Sequence, residues 1–262
     1  MALSRLSKAL IATVIVGILI LLIVQPAPTP KRPEQQEKLT EPGKPKLKKP
    51  KFKAVIVDTL CITDPNRTAI DTIKVYLENS GYDVDVYVGS EVTVEFFRNL
   101  PSIGYKLVIL RCHSFEYDGK VIIITGEVFD KRKHVMEVLS ESLYQVSPLN
   151  APEEDMRFFG ITAKFIRNAK GYFPDSIIIL SGCEGAASVD MAQAFIDYKM
   201  AYAFVGWGGP VTAEHTDNAI TRLVYHLCIE GMPILKAFRE TVNEVGIDPH
   251  YKTELRCIYR LL

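Results

Sequence analysis

Strands alternating with helices over residues 54–262 predict an α/β fold. The expected form is a three-layer sandwich around a mainly parallel sheet, preceded by an N-terminal transmembrane helix. Three features carry this reading. Short apolar runs of four or five residues recur between amphipathic stretches, the pattern of strands buried on both faces. A continuous apolar segment lies near the N-terminus, and a proline- and lysine-rich segment separates it from the rest. The chain has 262 residues and is 48% hydrophobic, enough for one packed domain with appendages.

Residues 1–25 form the expected membrane anchor. Residues 9–24 are apolar apart from Thr13, with Arg5 and Lys8 before them. Sixteen helical residues span about 24 Å, just under a hydrocarbon core of about 30 Å, and Lys8 can snorkel at the edge. The run has no polar face, so it does not read as a soluble helix. A cleaved signal peptide is the alternative, against which stand the length of the run and the lack of a clear small-residue cleavage site before Pro26. Lys31, Arg32 and Lys38 follow the run and oppose the orientation set by Arg5 and Lys8; the short basic N-terminus favours a domain outside the cytoplasm. Residues 26–53 hold seven prolines and nine Lys or Arg and read as an extended spacer, with a basic cluster suited either to a solvated stalk or to anionic headgroups.

Residues 54–262 are the folded part. Ala54–Val57 reads as a buried first strand ending at Asp58. Asp64-Pro65 opens a helix whose apolar face holds Ile70, Ile73 and Leu77 and which ends at Gly81. Tyr82–Val88 alternates as a second strand, and Leu107–Leu110 is a third. Val121–Ile124 is another, with Thr125-Gly126 turning into Val128-Phe129 as a hairpin. Ile161–Arg167 reads as helix, Ser176–Leu180 as strand, Ala186–Lys199 as helix, Tyr202–Gly206 as strand, Ala213–Ile229 and Ile234–Val245 as helices, and Leu255–Leu261 as a last strand.

The net charge of zero joins two unlike parts. Residues 1–53 hold 11 Lys and Arg against 3 Glu, which leaves 20 basic and 28 acidic residues in the remainder. An acidic domain repels a phosphate backbone, so nucleic acid is not an expected partner. The five cysteines are odd in number and include no CxxC pair, which argues against a zinc ribbon, a thioredoxin-type site or a dense disulfide framework.

In open parallel sheets ligands gather beyond the carboxyl ends of strands. That rule selects Asp58 after the first strand, Cys112, His113 and Ser114 after the third, Gly182, Cys183 and Glu184 after the next core strand, and Trp207 after the last parallel one. A thiol and an imidazole at one edge suit nucleophilic catalysis, because a cysteine needs a base or a lowered pKa to attack a carbonyl. A buried packing role is the alternative for each. A phosphatase loop is excluded because Val189 stands where its arginine belongs, and Cys112-His113 lacks a second ligand pair at metal spacing.

The segments Leu107-Val-Ile-Leu-Arg-Cys-His113-Ser114 and Ile177-Ile-Ile-Leu-Ser-Gly-Cys183-Glu-Gly resemble the two core motifs of caspase-fold cysteine peptidases, the group containing caspases, metacaspases, clostripain, gingipains, separase and CHAT domains. Ala192-Gln-Ala-Phe, Ala201-Tyr-Ala-Phe-Val-Gly-Trp207 and Gly231-Met-Pro-Ile-Leu-Lys-Ala237-Phe resemble CHAT sequences in similar order. The resemblance covers about residues 54–262. It implies a caspase-like sheet, a Cys183–His113 dyad acting through an acyl-enzyme on a peptide or protein substrate, an oxyanion site from the backbone N–H groups of Ser114 and Cys183, and no cofactor or metal. In several members acidic groups near the ends of the first and fourth strands hold a basic side chain, which by resemblance makes Asp58 and Glu184 substrate-binding and implies cleavage after Lys or Arg; a turn-capping Asp58 is the alternative. Trp207 reads either as a wall of the pocket or as core packing. The family has glycine where this chain has Ser114, and the second reading is a caspase-like peptide-binding or scaffold module without catalysis. With the apolar run at 9–24, the whole chain reads as a single-pass membrane protein.

Overall fold

The computed structural model describes residues 52–148 and 156–260; the expected anchor over 1–25 and all but the end of the 26–53 spacer lie outside them. The described chain runs β1 (Lys53–Asp58), α1 (Arg67–Asn79), β2 (Asp83–Val88), α2 (Val94–Asn99), β3 (Tyr105–Arg111), β4 (Ser114–Tyr117), β5 (Lys120–Val128), α3 (Val135–Leu139), β6 (Leu143–Val146), β7 (Phe158–Thr162), α4 (Ala163–Asn168), β8 (Ile177–Leu180), α5 (Asp190–Gln193), β9 (Ala203–Trp207), α6 (Ala213–Val224), α7 (Ile234–Val245) and β10 (Leu255–Tyr259).

Six strands form the main sheet in the order β10-β9-β8-β3-β1-β2, so the two motif-bearing strands β3 and β8 are central neighbours. All neighbours are parallel except β10, which closes the edge antiparallel to β9. Side chains alternate across a strand, and here both faces are covered, so apolar runs serve two cores at once. Ala54, Ile56, Leu107, Ile109, Ile179 and Val205 face one core with residues of α1, α6 and α7. Val55, Val57, Val108, Leu110, Ile178 and Leu180 face the other, against α2, α4, α5 and the inner side chains of a second sheet. That second sheet is antiparallel, in the order β4-β5-β7-β6.

Several local expectations change. Asn66, not Asp64, caps α1: its side chain accepts from the Ala69 N–H at 3.1 Å. Asp64 and Pro65 stay in the loop before it. Residues 120–128 form one long strand rather than a hairpin. The tight turn falls earlier, at Asp118-Gly119, where both residues have positive φ (51° and 73°), as a two-residue hairpin turn demands. Gly126 serves close approach instead: its N–H donates to the Val92 carbonyl at 2.8 Å, and a Cβ there would lie 1.7 Å from the Gly89 carbonyl oxygen. The helix expected over 161–167 begins only at Ala163, after β7, with the Thr162 hydroxyl capping it. Among the described residues no helix is long and apolar enough to cross a membrane.

Gly126→Ala is expected to cost about 1–3 kcal/mol, because overpacking against backbone leaves little room to relax. Denaturant unfolding checks this; an unchanged midpoint would mean that the two loops can part freely.

Candidate active site

β3 and β8 run parallel with Leu110 beside Leu180, so the residues that follow them emerge at the same edge. The Ser181 N–H continues the ladder to the Leu110 carbonyl at 2.8 Å. Beyond it the strands draw together. A Cβ on Gly182 would stand 2.1 Å from the Cys112 carbonyl oxygen and 2.6 Å from the Ser114 hydroxyl, so only glycine fits. Ser114 uses that proximity: its hydroxyl donates to the Cys183 carbonyl at 2.6 Å. The serine that departs from the resembled family thus ties the histidine loop to the cysteine's own peptide.

His113 and Cys183 line one cleft of about 270 Å³, with Asp64, Val211, Thr212 and Tyr251 among its walls. The Nε2 atom of His113 lies 2.7 Å from the Thr63 hydroxyl. The Cys183 thiol lies between the Val211 carbonyl and N–H, each at 3.4 Å. Burial lowers the His113 pKa below its ordinary value; Asp64 opposes the shift and Arg111 adds to it. Burial raises the Cys183 pKa; the Val211 N–H opposes it, while Glu184, Asp248 and Asp64 add to it. Both shifts favour the uncharged forms. The resting pair is a thiol and a neutral imidazole, each held by its own neighbour.

Three buried carboxylates support this edge. Asp58 and Arg111 are register partners at the ends of β1 and β3, and Arg111 Nη1 meets Asp58 at 2.9 Å. Arg111 also forks onto Asp217 of α6, through Nε at 2.7 Å and Nη2 at 2.9 Å, and Nη2 reaches the Asp64 carbonyl at 2.8 Å. Burial works against the arginine's charge, but its bonds and proximity to Asp217 and Asp58 outweigh it and hold the guanidinium protonated. Asp217 in turn accepts from the Asn66 amide at 2.8 Å, which ties in the start of α1. On the other side, wholly buried Asp248 accepts from the Thr212 N–H and hydroxyl and from the N–H groups of His250 and Tyr251, at 2.7–2.9 Å. Burial disfavours its charge, yet these four donors hold its pKa down to about 2. They fix the loop that brings Tyr251 to the cleft.

The structure brings His113, Ser114 and Cys183 together and keeps Asp58, Glu184 and Trp207 out of the cleft wall. Asp58 is 3% exposed and neutralised by Arg111. Trp207 is fully buried in the core, where its indole N–H donates to Thr216 at 2.9 Å. Glu184 turns its carboxylate onto the Glu116 N–H at 2.7 Å, with its own backbone at φ 57°. Asp58, paired with Arg111, and Trp207, bonded to Thr216, thus both serve packing at this edge and stand outside the cleft lining. Sequence reasoning missed Thr63, Asp64 and the 246–254 loop. The local pattern makes Asp64 a helix cap; the Asp-Pro pair after a strand end is the signal that marks the loop. Among the described residues no cluster of three or more His, Cys, Asp or Glu is arranged to hold a metal. Neither a family model nor a curated protein matches the chain.

Ser114→Ala is expected to cost about 1 kcal/mol, the worth of one hydrogen bond, with the fold retained. Equal stability of the two proteins in denaturant would show that the Cys183 carbonyl finds another partner. Asp248 makes a pH-dependent contribution. Its folded pKa of about 2 lies below the ordinary 3.8, so its stabilisation is present above 3.8 and drains away as pH falls towards 2. Asp248→Asn is expected to flatten the acid limb of stability in that window; a limb of unchanged slope would assign acid sensitivity to other groups.

Proposed function

We propose that this chain is a cysteine endopeptidase of the caspase type. The observation that supports this best is that His113 and Cys183, which follow the adjacent central strands β3 and β8, line a single cleft at the carboxyl edge of the parallel sheet. In the reaction, the Cys183 sulfur attacks a peptide carbonyl carbon and gives up its proton to His113. The C–N bond then breaks as His113 returns that proton to the leaving amine, leaving a thioester. Water, deprotonated by His113, hydrolyses the thioester and restores the thiol. The backbone N–H groups of Ser114 and Cys183 are the proposed donors to the oxyanion.

Cleavage after Lys or Arg remains part of the proposal, on a different residue. Asp58 is already paired, whereas Asp64 lines the cleft and its carboxylate has no hydrogen bond or ion pair among the described residues. Asp64 is thus the carboxylate suited to a basic side chain. The membrane anchor over 9–24, with the domain outside the cytoplasm, belongs to the proposal on the strength of the sequence.

One observation favours a second reading, a peptide-binding module without catalysis. Cys183 is engaged with Val211 and His113 with Thr63, and both shifts leave the pair uncharged.

A peptide chloromethylketone ending in Lys, applied to the full-length chain, separates the readings. The peptidase is expected to be alkylated at Cys183, with the rate falling at least tenfold in His113→Ala. Because the His113 pKa is lowered, its neutral, basic form persists into acid, and the acid limb of the alkylation profile should lie below 6.5. Slow labelling shared among the five cysteines and indifferent to His113 would support the binding module instead.

A further inference from the structure

We propose that Thr63 is the positioning residue for His113: its hydroxyl accepts a hydrogen bond from the imidazole Nε2–H and donates its own hydrogen to the Leu60 carbonyl, which leaves Nδ1 as the basic nitrogen. The Thr63 hydroxyl has one hydrogen to give. It stands 2.7 Å from His113 Nε2 and 3.3 Å from the Leu60 carbonyl oxygen. Given to Leu60, that hydrogen leaves the hydroxyl oxygen to accept from Nε2–H. This arrangement is unchanged when the imidazole takes up a proton, since both ring nitrogens then carry hydrogen. The reverse arrangement, with the hydroxyl donating to Nε2, would have to turn over at each protonation. Nδ1 has no hydrogen bond among the described residues.

The hydroxyl is itself held. Residues Leu60–Ile62 form a single tight turn whose end is pinned by three contacts: the Thr63 N–H to the Leu60 carbonyl at 3.0 Å, the Asp64 N–H to the same oxygen at 2.7 Å, and Arg111 to the Asp64 carbonyl at 2.8 Å. The buried arginine therefore reaches His113 indirectly, by fixing the loop that carries Thr63. An imidazole with its tautomer fixed by a partner on the far nitrogen presents the other nitrogen ready to accept a proton. The catalytic consequence rests on the peptidase reading; the tautomer does not.

The test uses the full-length chain in detergent, labelled with ¹⁵N-histidine, in wild-type, T63S and T63V forms. The His113 signal is assigned by its loss in His113→Gln. Long-range ¹H–¹⁵N spectra are expected to show neutral His113 with hydrogen on Nε2 in the wild type and in T63S, and to lose that bias in T63V. Hydrogen on Nδ1 in the wild type, or a T63V spectrum like the wild type's, overturns the proposal. If T63V does not fold, the wild-type and T63S tautomers decide alone. Alkylation of Cys183 by the lysyl chloromethylketone is then followed against pH. T63V is expected to be about tenfold slower, the effect of one lost hydrogen bond, with a displaced acid limb, and T63S to recover most of the rate. Wild-type kinetics in T63V would remove Thr63 from the reaction. Labelling that ignores His113 in the wild type would sink the peptidase reading, while the tautomer still decides the role of Thr63.

Discussion

A guanidinium with almost no access to water organises the functional edge of this protein. Arg111 ends β3, and its donors reach three parts of the chain: Asp58 at the end of β1, Asp217 on α6 and the Asp64 carbonyl in the loop before α1. A buried arginine facing fewer partners would be costly, and removing one member of such a network typically costs about 3–5 kcal/mol, because a buried charge is left uncompensated. Its net worth against an apolar replacement is smaller. Its structural effect is to specify positions: a strand end, a helix and a loop must all arrive at fixed distances from one side chain.

The cleft follows from that constraint and from a second one across the strands. Gly182 lets β8 approach the Cys112 carbonyl, and the Ser114 hydroxyl closes the gap by bonding to the Cys183 carbonyl. Asp248 then fixes the far wall through Thr212 and Tyr251. Three polar devices therefore surround a cleft that contains a thiol and an imidazole, both uncharged at rest. Such a site stores no thiolate. In the peptidase reading, reactivity arises only when a carbonyl is in place and His113 takes the proton, which protects the thiol from indiscriminate oxidation and alkylation.

The sequence makes the strands of the main sheet legible because both faces of that sheet are covered. Continuous runs such as Val108–Leu110 and Ile177–Leu180 send alternate side chains into the two cores, which is why no polar alternation interrupts them. The positions of His113 and Cys183 at one edge followed from those runs. Local punctuation was less informative. Asp64-Pro65 and Asn66 are both good helix openers, and only the tertiary pull of Arg111 on the Asp64 carbonyl and of Asp217 on the Asn66 amide selects the latter as cap. Thr125-Gly126 has turn chemistry, yet the glycine is required by a neighbouring loop. The strand Leu143–Val146 is short, with Tyr144 and Gln145 interrupting its apolar pattern, and gave no distinct signal. Asp58 stands at a strand end as the pattern predicts, but its ion pair with Arg111 depends on a register that no local pattern encodes. A charged residue at the end of the run Leu107–Leu110 was the one hint that a buried counter-charge must stand opposite.

The most direct measurement is to trap the covalent intermediate. The full-length chain would be mixed with a peptide ester ending in Lys, quenched in acid within seconds, and the intact and fragment masses read. An acyl group is expected on Cys183 alone, held as a thioester and released by hydroxylamine, with none formed in Cys183→Ala. Turnover of the ester without an adduct on Cys183, or no adduct and no turnover at any pH, would contradict it.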